Sequence, residues 1–150
     1  MIRYKLTDAD DYSGRETKLS WAAGVKHKVG GSGKQLCTKD VIHYYRTPYQ
    51  AVLMDPVHGN YGSSAHLWEV DVPEELVYDG TKGGAKKVTA IRQVPLPVMT
   101  TEQRVEIAIR LSLIIYFEKS YSVWAQNWLS GKDRTETAAR AAVTAARAVA

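Results

Sequence analysis

The sequence predicts an α+β fold: a small, mainly antiparallel β-rich N-terminal core with a helical insertion, followed by long C-terminal helices. Three observations carry this reading. Runs such as Ala65 to Val72 (AHLWEVDV) and Lys87 to Val94 (KVTAIRQV) alternate apolar and polar residues with the two-residue period of a strand. Glycine-rich breaks separate these runs. Beyond Pro95-Leu96-Pro97 the pattern changes and reads as helix almost to the end.

Taken in order, Met1 to Leu6 reads as a strand and Gly30-Gly31-Ser32-Gly33 as a loop. Thr38 to Tyr45 fits a short helix or a strand, with Thr38 a plausible helix cap, and Pro48 with Tyr49 to Met54 opens a further helical turn. Asp55-Pro56 and Gly59-Asn60 are turn signals. The two alternating strands follow, joined by Asp79-Gly80 and Gly83-Gly84, which read as a mobile connection.

In the helical region, Thr100 and Gln103 have capping-box spacing. The helix they open carries Val105, Ala108, Ser112 and Ile115 on one face, and Ile107, Ile109, Leu111, Leu113 and Ile114 extend the apolar surface nearly all round. A helix of this kind is normally enclosed, so the sheet should cover one side and another body, such as a second copy of the chain, the rest. Ser120 to Leu129 continues as helix with Trp124 and Trp128 four apart, and Gly131 can end it in a left-handed cap. Asp133 and Glu136 repeat the capping-box spacing ahead of an alanine-rich terminal helix, 133–150. Arg140 and Arg147 share a face there, either of a solvated helix or of an oligomerisation seam. The whole is expected to be a single domain, with residues 1–97 as β-rich core and 98–150 as helical region.

Length and composition fit that reading. A chain of 150 residues, 45% hydrophobic and 24% charged, can bury one moderate core. A net charge of +4 and a pI near 9.1 admit anionic partners without the charge density of a nucleic-acid coat, so nucleic acid is not the expected partner. One cysteine allows no internal disulfide and fits a reducing cytosol. MIRYKLTDADD holds no apolar secretory segment, and the longest apolar run, Leu111 to Phe117, is too short for a bilayer. A cytoplasmic protein without membrane contact is expected.

The chemistry-bearing residues concentrate in Leu36 to Tyr61, LCTKDVIHYYRTPYQAVLMDPVHGNY, which holds the only cysteine, two of four histidines and four of nine tyrosines. Cys37 with His43 or His58 could form a thiol–imidazole pair, although a lone cysteine is more often structural. Cys37, His43, His58 and His66 lack the close paired spacing of a metal site. Gly30 to Lys34 (GGSGK) fails the phosphate-loop pattern twice, since Lys28 stands where the first glycine belongs and Gln35 follows Lys34. Glu74-Glu75 and Asp8 to Asp11 read as exposed turns rather than catalytic acid pairs. No catalytic residue, metal ligand or cofactor is therefore expected.

What remains is binding. His43, Tyr44, Tyr45, Tyr49, Tyr61 and Trp68 offer flat faces with polar tips. Lys82, Lys86, Lys87 and Arg92 surround Gly83-Gly84, where cations beside backbone amides can hold an anion. Arg104 and Arg110 sit near the start of the first long helix and need a carboxylate or a ligand phosphate as partner. The candidate ligand contacts are Arg104, Arg110, His43, Tyr45, His58, Asn60, Trp68, Lys82, Lys86, Lys87 and Arg92.

Several stretches also carry a resemblance. GKQLC (Gly33 to Cys37), His43-Tyr44-Tyr45, Pro48, Ala51 to Leu53, Pro56 to His58, Asp79-Gly80-Thr81-Lys82, Thr101-Glu102-Gln103-Arg104, and Trp124-Ala125 through Trp128-Leu129-Ser130-Gly131 together resemble a pattern in small phage-encoded proteins. Within that group the layout is similar to the first-described Thoeris anti-defence family. The resemblance implies a sponge that binds a cyclic ADP-ribose-type immune signal and withholds it uncleaved, in dimers or higher oligomers with pockets near subunit interfaces. Three alternatives stay open: a protein-binding inhibitor of a bacterial defence complex acting through the helical region, a nucleotide- or NAD-processing enzyme using His43 or His58, and a nucleic-acid binder.

Overall fold

The computed structural model describes residues 1–14 and 18–147. It divides into two compact units, Met1–Met99 and Thr100–Ala150. Strands dominate the first and helices make up the second, the α+β arrangement the sequence predicts.

The described strands of the first unit are β1 (Ile2–Thr7), β2 (Tyr12–Ser13), β3 (Leu19–Ser20), β4 (Lys26–Lys28), β5 (Ile42–Tyr44), β6 (His66–Asp71), β7 (Val77–Tyr78), β8 (Gly83–Ala85) and β9 (Lys87–Val94), with helix α1 (Pro48–His58) between β5 and β6. They form an antiparallel sheet of order β1-β6-β9-β4, a small antiparallel sheet of order β5-β8-β7, and the β2-β3 pair. Side chains alternate along β6, so the larger sheet is covered on both faces. Trp68 and Val70 join Trp21, Ile42, Tyr44, Val72, Ala85, Val88 and Ala90 in one core. Leu67, paired with Leu6, joins Tyr45, Ala51 and Ala65 in a second core, to which α1 contributes Ala51. A register shift between Glu69 and Val70 leaves Ile91 of β9 as the extra residue of a bulge and sets Arg92 opposite Glu69.

Three local expectations are corrected. Residues 42–44 are strand, one of the two forms the sequence allowed there, so Thr38 is not a helix cap. Its hydroxyl accepts the Asp40 N–H at 3.3 Å in a turn, while Thr47 caps α1 by accepting the Gln50 N–H at 3.1 Å. Pro48 then occupies the first helical position, where a missing N–H costs nothing.

Asp55-Pro56 lies inside α1 rather than in a turn. Pro56 comes so late that it removes a single rung, and buried Asp55 closes the helix instead. Its Oδ1 and Oδ2 accept the Tyr61 and Gly62 N–H groups at 3.0 and 2.9 Å, and its carbonyl accepts those of Gly59 and Asn60.

Gly83-Gly84 is a buried strand, not a mobile connection. A Cβ on Gly83 would lie 2.4 Å from Cζ of Tyr44, and one on Gly84 would meet Val77, Leu36 and Val41 at 2.9–3.0 Å. These glycines are there because neighbouring side chains occupy the space a Cβ would take.

The second unit holds α2 (Thr101–Ile115), α3 (Lys119–Leu129) and α4 (Glu136–Arg147). Thr100 and Gln103 form the reciprocal capping box at the start of α2. The helix stops at Tyr116, and Glu118 opens α3 by accepting the Tyr121 N–H at 2.8 Å. Gly131, at φ 76°, closes α3: its N–H bonds the Trp128 carbonyl and the Lys132 N–H bonds that of Asn127, the paired bonds of a Schellman motif. The cap of α4 is Thr135, whose hydroxyl accepts the Ala138 N–H at 3.3 Å. Asp133, expected as the cap, instead holds Thr135 through its N–H and hydroxyl.

Ile109, Ala125 and Trp128 form this unit's buried centre, with Val105, Leu113, Tyr121, Trp124 and Leu129 packed around it. Within the single chain Ile109 is buried, while Leu111, Ile114 and Ile115 are 58%, 66% and 80% exposed, and Phe117 just beyond is 78% exposed. The continuation of α4 through 148–150 and the Arg147 side chain lie outside the described residues. Among the described residues no helix is long and apolar enough to cross a membrane.

Candidate anion-binding site

The small β5-β8-β7 sheet places the most chemically loaded residues of the first unit together. His43 pairs with Gly84, which pairs with Val77. Side chains alternate along a strand, so Lys82, two residues before Gly84, lies on the same face as His43. Tyr45, two residues after His43, shares that face, and its hydroxyl reaches Nδ1 of His58 at the end of α1 at 3.3 Å. The Tyr45 and His58 rings lie near parallel, 19° apart in plane with centroids 6.0 Å apart. From β1, Lys5 acts electrostatically on His43.

The turn that presents Lys82 is pinned. Asp79 Oδ1 accepts the Thr81 N–H and hydroxyl and the Lys82 N–H at 2.7–2.9 Å. The Gly80 carbonyl, in a residue at φ 92°, accepts from Gln50 of α1 and from the Tyr78 hydroxyl, each at 2.9 Å. Burial alone would raise Asp79, but the hydrogen bonds from Lys82 and Thr81, with the Lys82 charge, hold its carboxyl at about 2. It stays ionised and committed to the turn.

Lys82 is buried, at 7% exposure. Among the described residues neither Lys82 nor Lys5 has a carboxylate within ion-pair distance. Both imidazoles are held neutral. Burial depresses His43 to about 4, reinforced by the Lys5 and Lys82 charges and by His58, with Asp79 opposing. Burial likewise lowers His58, again with Lys82 reinforcing and Asp79 opposing. The Cys37 N–H donates to His43 Nε2 at 2.9 Å, so the ring carries its proton on Nδ1. Burial also lowers the Lys5 ammonium, to about 8. The Lys82 cation and two neutral imidazoles thus stand near a single carboxylate that is already occupied. Such an arrangement favours an added anion and supplies N–H donors to hold it.

The same geometry offers little to a nucleophile. The Cys37 backbone, not its thiol, bonds His43. Among the described residues no group of three or more His, Cys, Asp or Glu side chains stands close enough to share a metal ion.

Of the residues singled out in the sequence, the fold brings together His43, Tyr45, His58 and Lys82. The others go elsewhere. Trp68 is core, its indole N–H donating to Asp11 Oδ1 at 2.9 Å. Asn60, exposed at φ 57°, terminates α1. Arg92 pairs with Glu69 at 2.6 Å across the strands. Lys86 is half-buried beside Gly33, and Lys87 is exposed opposite Lys28. Arg104 and Arg110 belong to the second unit, where Arg104 is half-buried and Arg110 pairs with Glu106 one turn away at 2.8 Å.

Lys5 was not among the candidates. It lies in β1 opposite Trp68, half-buried, and its charge acts on His43. A second cluster also went unmarked: Arg3 and Arg46 both pair with Glu75, and Arg46 lies 3.5 Å above the Tyr78 ring.

No protein-family model matches the chain, no curated protein matches it, and no solved structure matches it.

Proposed function

We propose that the chain binds a phosphate-bearing, nucleotide-type small molecule at the His43–His58–Lys82 cluster and sequesters it without cleavage. The observation that carries this is Lys82: a largely buried side chain beside two neutral imidazoles, on a turn whose one carboxylate, Asp79, is committed to hydrogen bonds with Thr81 and the Lys82 backbone. A ligand phosphate would bring a second negative charge to that ammonium and accept from the neighbouring N–H donors. Sequestration rather than turnover follows from a site of donors without an arranged nucleophile and base. The phage anti-defence reading, a cytoplasmic sponge for a cyclic ADP-ribose-type signal, agrees with this chemistry.

The test is to incubate the purified chain with cyclic ADP-ribose, remove free ligand, denature by heat and analyse the released material by mass spectrometry. Intact recovered ligand supports the reading. Failure to retain it, or release of a cleaved product, overturns it.

A second reading rests on the exposed Leu111, Ile114, Ile115, Phe117 and Val123 of the helical unit. Such a cluster suits a protein contact, either self-association of this chain or engagement of a defence complex. Sedimentation at rising concentration, beside capture from bacterial lysate, separates the two.

A further inference from the structure

We propose that the His43–His58–Lys82 site selects anions whose oxygens carry no proton: it takes a phosphodiester, a pyrophosphate link or sulfate and rejects hydrogen phosphate. The inference rests on the anion-binding reading and names the ligand chemistry of that same site.

The hydrogen bonds around the two rings decide where their protons are. The Cys37 N–H donates to Nε2 of His43 at 2.9 Å, so that nitrogen presents a lone pair and the ring proton is on Nδ1. The Tyr45 hydroxyl lies 3.3 Å from Nδ1 of His58, its hydrogen-bond partner among the described residues. Tyr45 is buried, and a buried O–H left without an acceptor is costly. The hydroxyl therefore donates to Nδ1, and the His58 proton is on Nε2. His43 Nδ1 and His58 Nε2 are thus N–H donors, and among the described residues neither has an acceptor. Both rings are half-buried, within reach of a small anion. The Lys82 ammonium adds further donors and no acceptor.

The acceptors beside them are engaged. Asp79 Oδ1 accepts the Thr81 N–H and hydroxyl and the Lys82 N–H. The Gly80 carbonyl accepts from Gln50 and from the Tyr78 hydroxyl. An anion with lone pairs on every oxygen matches such a set of donors. One that also brings an O–H turns a proton toward N–H groups or buries it without an acceptor, and a site that leaves a polar group unpaired discriminates against the ligand that carries it. Free inorganic phosphate then competes poorly with a nucleotide-type ligand.

Sulfate and inorganic phosphate are the probes. At mildly alkaline pH both are tetrahedral dianions, and only phosphate keeps a proton. Each is titrated into the full chain at constant ionic strength while the imidazole resonances of the four histidines are followed by NMR. The expected result is that sulfate shifts His43 and His58 but not His27 or His66, and binds at least about tenfold tighter than phosphate. Lys82→Met should weaken both anions. Equal affinities, or tighter binding of phosphate, overturn the proposal and leave the anion site standing, with Asp79 Oδ2 taking the phosphate proton. If neither anion shifts His43 or His58, the proposal and the anion site fall together.

Discussion

The Cys37 N–H donates to Nε2 of His43 at 2.9 Å, and burial, reinforced by the Lys5 and Lys82 charges, keeps that imidazole unprotonated in the fold. Free in an unfolded chain, His43 titrates near 6.5; in the fold it titrates at about 4. Between those values the unfolded chain binds more protons, so stability rises with pH. The contribution is fully present above 6.5 and drains away as the pH falls toward 4. His43→Gln keeps an acceptor for Cys37 and removes the titration. Urea midpoints measured across that window should fall more steeply for the parent than for the variant; parallel profiles would refute the assignment.

Lys82 predicts a separation of binding from stability. Lys82→Met retains the buried stem and removes the ammonium. Binding of phosphate-bearing ligand, measured by calorimetry, should weaken at least about tenfold, since a charge-assisted hydrogen bond contributes about 1.5–3 kcal/mol. The thermal midpoint should change little, because the stem stays buried and the turn is held through backbone donors to Asp79. A variant that binds as before would remove Lys82 from the site.

Two glycines of one hairpin should respond differently to alanine. At Gly83 the new methyl group would sit 2.4 Å from the fully buried Tyr44 ring, which has no room to swing away, and overpacking of this kind costs about 1–3 kcal/mol. At Gly80 nothing lies within 4 Å of the added carbon, so the cost is backbone strain at φ 92°, on the order of 1 kcal/mol. Denaturant titration should rank Gly83→Ala as the more damaging. The reverse order would mean that Tyr44 is free to move.

Asp11 anchors the edge of the first core. Standing at φ 60°, it presents Oδ1 to His66 Nδ1 at 2.8 Å, to Trp68 Nε1 at 2.9 Å and to the Thr7 hydroxyl at 3.3 Å. Asp11→Ala strands a buried indole N–H and should cost about 1–3 kcal/mol. Asp11→Asn keeps an acceptor and a residue type that tolerates this backbone, and should lose less. Equal losses in thermal unfolding would show that the backbone, not the hydrogen bonds, matters there.

Much of the architecture was legible because local pattern and tertiary context agree. Lys87 to Val94 alternates and is a strand; Thr100 and Gln103 cap α2; Gly131 closes α3. The misreadings share one cause, which is that a residue type is locally ambiguous until its neighbours in space are known. Gly83-Gly84 looks like a flexible joint, yet Tyr44 across the sheet makes glycine obligatory. Asp55-Pro56 looks like a turn, yet the Asp55 carboxylate can end a helix that Pro56 barely weakens. The site was half legible for the same reason. His43, Tyr45 and His58 lie close in sequence, whereas the pairing of β5 with β8 that brings Lys82 to them is displayed by no local pattern.

The apolar end of α2 has a practical consequence. With Ile114, Ile115 and Phe117 standing open at one place, the molecule carries an adhesive edge. A purified sample should be retained on phenyl resin, salt out early in ammonium sulfate, and change its elution volume when a mild detergent is added. Replacing Ile115 and Phe117 with serine should abolish all three behaviours together.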